Sequence, residues 1–242
     1  MPRTAEDSRR WMEEGTALFL KAVDGLSTDD YDAGSALPGW TRKNLVGHVA
    51  HNAEALRNLT RWAATGEESP MYSSTGQRND DIAAAGNREA GDLHDFVHAS
   101  AEALASDMRA LSEQAWSAEV VTAQGRTVPY TEVPWMRTRE VMVHAVDLGT
   151  GVTFADLPAE FNAALVDDIV AKRGSALAGS GSPAVRVTTN DSTQATWEVP
   201  GEGEPTTVTG SLASVTAWLA GRSADGVSTT DGAPLPTLPA WL

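Results

Sequence analysis

Over roughly the first 150 residues, hydrophobic positions recur with a helical period. Trp11, Leu18, Phe19, Ala22 and Val23 fall on one stripe of a first helix, with Thr4 placed to cap it and Asp7 in its first turn. Thr41 caps a second helix, whose stripe runs through Leu45, Val49, Leu56, Leu59 and Trp62 to a stop at Thr65-Gly66. A third carries Leu93, Val97, Leu104, Met108 and Leu111, and a fourth takes Pro134 into its first turn and runs to Gly149. Each helix has one apolar stripe to bury, which predicts an antiparallel four-helix bundle. Residues 66–90 are polar and rich in turn formers, with one short helical stretch at Asp80–Ala85. A connection this long is where function often resides. Val120–Pro129, centred on Gln124-Gly125, reads as a hairpin or extended link.

Past residue 150 the pattern changes. Asp156, Pro158 and Glu160 begin a helix that continues through Leu165, Val166, Ile169 and Val170 and ends near Gly174. Gly179-Ser180-Gly181-Ser182-Pro183 is a loop. Val185, Val187 and Thr189, then Trp197 and Val199, then Thr207 and Thr209 alternate with period two. Asn190-Asp191-Ser192 and Gly201-Glu202-Gly203 separate them, so the segment predicts a small antiparallel sheet. Ser211 caps a last helix through Val215 and Trp218 to Gly221, and the tail with Pro234, Pro236 and Pro239 before Trp241 is extended. The fold class is therefore α+β, with a helical bundle over residues 1–150 and a small α+β domain over 151–242.

Charge and composition narrow the function. The 242 residues carry 18 Lys plus Arg against 33 Asp plus Glu, a net charge of −15, which disfavours nucleic acid and anionic membrane partners. The absence of cysteine excludes disulfides, thiolate zinc knuckles, iron–sulfur clusters and a cysteine nucleophile, so any thiol chemistry must bring its sulfur from outside. The polar stretch Met1–Asp7 and the lack of any run of 18 apolar residues predict a cytoplasmic chain, read as a monomer.

No phosphate-binding glycine loop, dinucleotide fingerprint, metalloprotease helix or nucleophile elbow is present, which leaves the five histidines. His144 lies in Val141-Met142-Val143-His144-Ala145-Val146, with Glu140 one helical turn earlier on the same inward face. Residues so spaced have Cβ atoms about 6 Å apart, close enough for both side chains to reach one ion. The alternative is a buried Glu–His ion pair. His48 on the second helix shares an arc of about 80° with Leu45, Asn52, Leu56 and Leu59, so it faces the same core. Three such groups are costly to bury unless a cation satisfies them. Two histidines and one carboxylate leave a metal position open, the arrangement of catalytic zinc, although iron(II) or nickel suits the same donors. Asn52, Arg137 and Asp147 are in register to support the ligands. His94 and His98, also four residues apart, are the rival pair for a metal, but His94 lies at the border of its helix's stripe and His98 about 100° off it, which disfavours them, and His51 is placed at the rim of the site.

Longer stretches carry a family likeness. Trp40-Thr41-Arg42, Gly47-His48-Val49-Ala50-His51-Asn52-Ala53 and Thr65-Gly66-Glu67-Glu68-Ser69-Pro70-Met71-Tyr72 resemble the mycothiol-dependent maleylpyruvate isomerases. So do Thr122–Pro129, Trp135–Glu140, His144–Gly149, Gly210–Ala213, Ala220-Gly221-Arg222 and the closing Trp241-Leu242. The resemblance implies a zinc-binding, DinB-like four-helix bundle followed by a small α+β domain, and it places the zinc ligands on His48, Glu140 and His144. It places a functional, catalytic arginine on Arg222, where the residues alone indicate only a cation at a helix C-terminus. It further implies conversion of 2-maleylpyruvate to 3-fumarylpyruvate in gentisate degradation, with a small anionic substrate, Zn2+ and the low-molecular-weight thiol mycothiol as cofactor. A zinc-dependent mycothiol S-transferase and a non-catalytic metal-binding module are the alternatives.

Overall fold

The structure, a computed structural model, describes residues 3–74, 76–177, 182–238 and 241. The expected loop at Gly179-Ser180-Gly181, and Pro239 and Leu242 of the tail, lie outside the described residues. The described chain divides into two compact units, residues 3–152 and residues 153 onward.

The first unit is built on four long helices, α1 (Ala5–Asp24), α3 (Arg42–Thr65), α5 (Ala90–Arg109) and α7 (Val133–Asp147). Shorter helices α2 (Thr28–Asp32), α4 (Gln77–Ala85) and α6 (Glu113–Trp116) lie in the connections, and β1 (Glu119–Val121) pairs with β2 (Thr127–Pro129) as an antiparallel hairpin. The starts are chemically encoded. Thr4 accepts a hydrogen bond from the Asp7 backbone N–H while the Asp7 carboxylate accepts from that of Thr4, and Ser27 with Asp30 and Thr41 with Asn44 repeat the device. Gly66, at φ +75°, ends α3 in the left-handed conformation that glycine adopts without strain.

Two core clusters fix how the helices pack. Phe19, Val23, Leu45, Val49, Leu93, Val97 and Val141 fill one end, and Met12, Leu56, Leu59, Leu104, Met108 and Tyr130 fill the other. This makes α1 and α5 antiparallel. The pair α3 and α7 is also antiparallel, with His48 beside Glu140 and the Thr60 hydroxyl 2.7 Å from that of Tyr130. By contrast α1 and α7 run the same way, since the Thr138 hydroxyl donates to the Ser8 carbonyl and Gly15 faces Val141 and Met142. So do α3 and α5, through Gly47 against Leu93 and Arg57 bonded to Asp107. The order is up, down, down, up. It requires the 66–89 connection to return along α3, about 36 Å at 1.5 Å per residue, and α4 does so in close contact. A Cβ at Gly47 would lie 2.1 Å from that of Ala85.

The second unit holds α8 (Ala159–Leu177), α9 (Leu212–Leu219) and a sheet of β3 (Pro183–Thr189), β4 (Thr196–Val199), β5 (Glu202–Gly210) and β6 (Val227–Thr229), in the order β4-β3-β5-β6. Helix α8 continues through Gly174, whose cost inside a helix is only about 1 kcal/mol. The sheet is mixed where alternation predicted it antiparallel. The pairs β3/β4 and β5/β6 are antiparallel, but β3 and β5 are parallel, with Val185 opposite both Val199 and Thr206. The reason lies at Gly201, read above as part of a turn. There the chain crosses the start of β3 so closely that a Cβ would stand 2.3 Å from the Pro183 carbonyl carbon, so β5 adds on the far side of β3. Asp191 accepts from the Leu212 N–H at 2.6 Å, tying the β3/β4 turn to the start of α9. Among the described residues no helix is long and apolar enough to cross a membrane.

Candidate metal centre

The antiparallel contact of α3 with α7 sets His48 opposite Glu140 and His144. Both imidazoles address one carboxylate oxygen: Glu140 Oε2 lies 2.9 Å from His48 Nε2 and 3.3 Å from His144 Nε2. The three potential ligand atoms all lie within 4.8 Å of one another. The two rings are 5.1 Å apart and nearly perpendicular, and Trp40 meets His48 edge-on at 5.6 Å. His48 is 3% exposed and the Glu140 side chain 26%, so the donors sit at the inner end of an opening rather than in a sealed core. Two nitrogens and one oxygen converging on a common point form a donor set suited to a borderline divalent ion.

The supporting residues separate into two groups. Asp147, fully buried, places Oδ2 2.9 Å from His144 Nδ1, which leaves Nε2 facing the other two donors. Arg137 instead donates from Nη1 to the Val49 carbonyl at 2.7 Å and to Asn52 Oδ1 at 2.9 Å, bolting α7 to α3 just beneath the donors. Burial pulls the Arg137 pKa down to about 10, against the charge of Glu140, so it remains a cation at neutral pH.

Burial works against charge throughout the cluster. It would raise the Glu140 carboxyl, but hydrogen bonds to His144 and His48 outweigh it and hold the group well below the usual carboxylate range. Burial lowers His48 despite the pull of Glu140. His144 is held above its ordinary value, because its bonds to Asp147 and Glu140 exceed the effect of burial. The result is an ionised carboxylate and a neutral His48, two of the protonation states that metal ligation requires.

Near these donors the 66–89 connection contributes a cavity of about 530 Å³, walled by Trp62, Met71, Tyr72, Arg78 and Thr122. Burial, then the negative charge of Glu140, pushes the Tyr72 hydroxyl up to about 12, and the Arg78 charge disfavours protonation of His48. Tyr72 and Arg78 therefore stand within electrostatic reach of the cluster. Tyr72 lay within a motif of the family likeness, but Arg78 carried no sequence signal beyond its place in a long polar connection.

The other histidines do not join this cluster. His51 is partly buried against Phe96, with ring centroids 4.9 Å apart, and is 3.9 Å from Asp81. His94 and His98 meet Asp24, the last residue of α1. In the second unit, Arg222 follows the left-handed Gly221 and donates to the Ala220 carbonyl at 2.7 Å, as a cation at a helix C-terminus does. It also lines a cavity of about 470 Å³ with Arg173, Trp218 and Pro236.

A family model for the mycothiol maleylpyruvate isomerase N-terminal domain matches residues 12–149. The crystal structure of a mycothiol-dependent maleylpyruvate isomerase superposes with a TM-score of 0.91 at 36% identity, covering 99% of this chain and 98% of that one. A histidine-to-alanine mutant of such an isomerase gives 0.92 at 37% identity with the same coverage. No curated protein sequence matches. A family model matching more than half of the chain and a fold shared from end to end with relatives above 30% identity place this protein in the mycothiol maleylpyruvate isomerase family.

Proposed function

We propose that this protein catalyses the mycothiol-dependent cis–trans isomerisation of 2-maleylpyruvate to 3-fumarylpyruvate. The observation that carries the reading is the convergence of His48, Glu140 and His144 from two antiparallel helices, in a chain of this family. These three residues hold a divalent ion, Zn2+ by the family resemblance, since the donors themselves also suit iron(II) or nickel. When bound, the ion would favour the ionised form of a thiol whose free pKa is near 8.5; addition of the thiolate makes the alkene bond single and free to rotate, and elimination then breaks the new carbon–sulfur bond, giving the trans alkene and returning the thiol.

The protein's own residues prepare that chemistry. Asp147 fixes the His144 tautomer, and Arg137 with Asn52 keeps α7 in register with α3. The cavity beside Tyr72 admits a small polar molecule, and Arg78 on its wall supplies a cation for an anionic one. Arg222, assigned through the family resemblance, supplies fixed positive charge for the substrate carboxylates and for the enolate that forms on addition. In a chain with a net charge of −15 such local cations matter all the more for attracting an anion.

The test is an assay of maleylpyruvate with and without mycothiol. Isomerisation that requires the thiol and returns it unchanged supports the reading. Stoichiometric consumption of the thiol with an electrophile would identify an S-transferase instead, and the absence of either activity would leave a metal-binding module.

A further inference from the structure

We propose that Asp24, His94 and His98 form a second divalent-cation site, which ties the last residue of α1 to the first turns of α5. His94 and His98 are one helical turn apart on α5, with ring centroids 4.6 Å apart and the planes tilted by 37°. Both direct Nε2 at the same atom, Asp24 Oδ1, at 3.0 and 2.8 Å. All three donor atoms lie within 4.8 Å of one another, the same criterion that the central cluster meets. An ordinary surface ion pair needs one imidazole and one carboxylate. Here two imidazole nitrogens and a carboxylate oxygen close on a common point.

The far side of His94 supports ligation. Asp95 Oδ1 stands 3.5 Å from His94 Nδ1, so a carboxylate faces the nitrogen that must keep its proton if Nε2 is to offer a lone pair. The side chains are 37–52% exposed, so an ion can complete its coordination with water and the donors need little desolvation. Two imidazoles and one carboxylate select Zn2+, Ni2+ or Cu2+ over Mg2+ or Ca2+, and the net charge of −15 enriches cations at the surface. Beneath these side chains the apolar cluster of Phe19, Val23, Leu93 and Val97 joins α1 to α5, so an ion here acts as a clip on that end of the bundle.

This site shares no residue with the central cluster and does not depend on the proposed reaction. The experiment is a calorimetric titration of Zn2+ into the full chain after its central site has been loaded and its metal content measured. The wild-type protein takes up one further equivalent and melts a few degrees higher with added Zn2+. In His98→Gln and Asp24→Asn, with helical circular dichroism unchanged, that second binding weakens at least tenfold and the added stability disappears, while isomerase turnover stays at its wild-type level. A wild-type protein that binds no Zn2+ beyond the central equivalent, or variants that bind the second ion as the wild type does, would overturn the proposal and reduce the cluster to an ion pair.

Discussion

Asp147→Asn isolates the part of the site that holds no ion itself. The wild-type carboxylate is fully buried and 2.9 Å from His144 Nδ1. An amide oxygen in its place still accepts the Nδ1 proton but carries no charge. A hydrogen bond to a charged group contributes about 1.5–3 kcal/mol and a neutral one about 0.5–1.5 kcal/mol, so the substitution forfeits about 1–2 kcal/mol at His144. That corresponds to about 5–30-fold in an equilibrium constant, and the lost basicity of the imidazole adds to it. The dissociation constant for Zn2+, measured by competition with a chromophoric chelator, should rise about 10–100-fold. The metal-free variant should keep its helical circular dichroism. A change below about threefold in metal affinity, with the fold intact, would refute the claim that Asp147 orients a ligand.

Arg222→Ala should retain metal while maleylpyruvate turnover falls steeply, and unchanged kinetics would remove that residue from the reaction. Gly47→Ala drives a methyl into Ala85 at 2.1 Å, a contact between two short side chains that no rotamer relieves. It should cost about 1–3 kcal/mol, read as a melting temperature lower by about 2–12 °C. The carboxyls of Asp7, Asp30 and Asp156 are held below the ordinary 3.8, chiefly by hydrogen bonds from Thr4, Ser27 and Thr153. A carboxylate with a depressed folded pKa contributes its full stability above the unfolded value and loses it as pH falls through the folded one. The stability gap between wild type and Thr4→Val should therefore be widest at neutral pH and narrow below about pH 4 in thermal melts, leaving the part due to the Asp7 N–H bond to the hydroxyl, and a gap independent of pH would contradict a contribution from the Asp7 carboxylate.

The helices were legible because their ends are chemical. Thr4, Thr41 and Gly66 mark boundaries that the backbone obeys, and the stripes of Leu45, Leu56 and Leu59 or Leu93 and Leu104 state which face is buried. Their directions were not legible, since an apolar stripe looks the same pointing up or down, and only the length of the 66–89 connection hinted at a return along α3. Period-two alternation has the same weakness in β3 and β5. It does not distinguish parallel from antiparallel neighbours, and the crossing at Gly201 shows itself only when Pro183 lies against it. The short helices α2 and α6 and the three-residue β6 carried too few positions to establish a period. At the site, the faces of His48, Glu140 and His144 could be read from register. The division of labour among Asn52, Arg137 and Asp147 could be read only in part: the three-residue spacing lets Asp147 meet His144 on one helix, but only the packed α3 shows that Arg137 turns to Asn52 and the Val49 carbonyl instead. Asp24 escaped notice because it is 70 residues from His94 and reads alone as an ordinary acid in the last turn of a helix.

Diffraction data collected on either side of the zinc absorption edge from crystals of the purified protein test the central claim most directly. An anomalous peak enclosed by His48 Nε2, the Glu140 carboxylate and His144 Nε2 is the predicted result, and it should vanish in Glu140→Ala. Zinc-loaded crystals with no peak between those three side chains would contradict it.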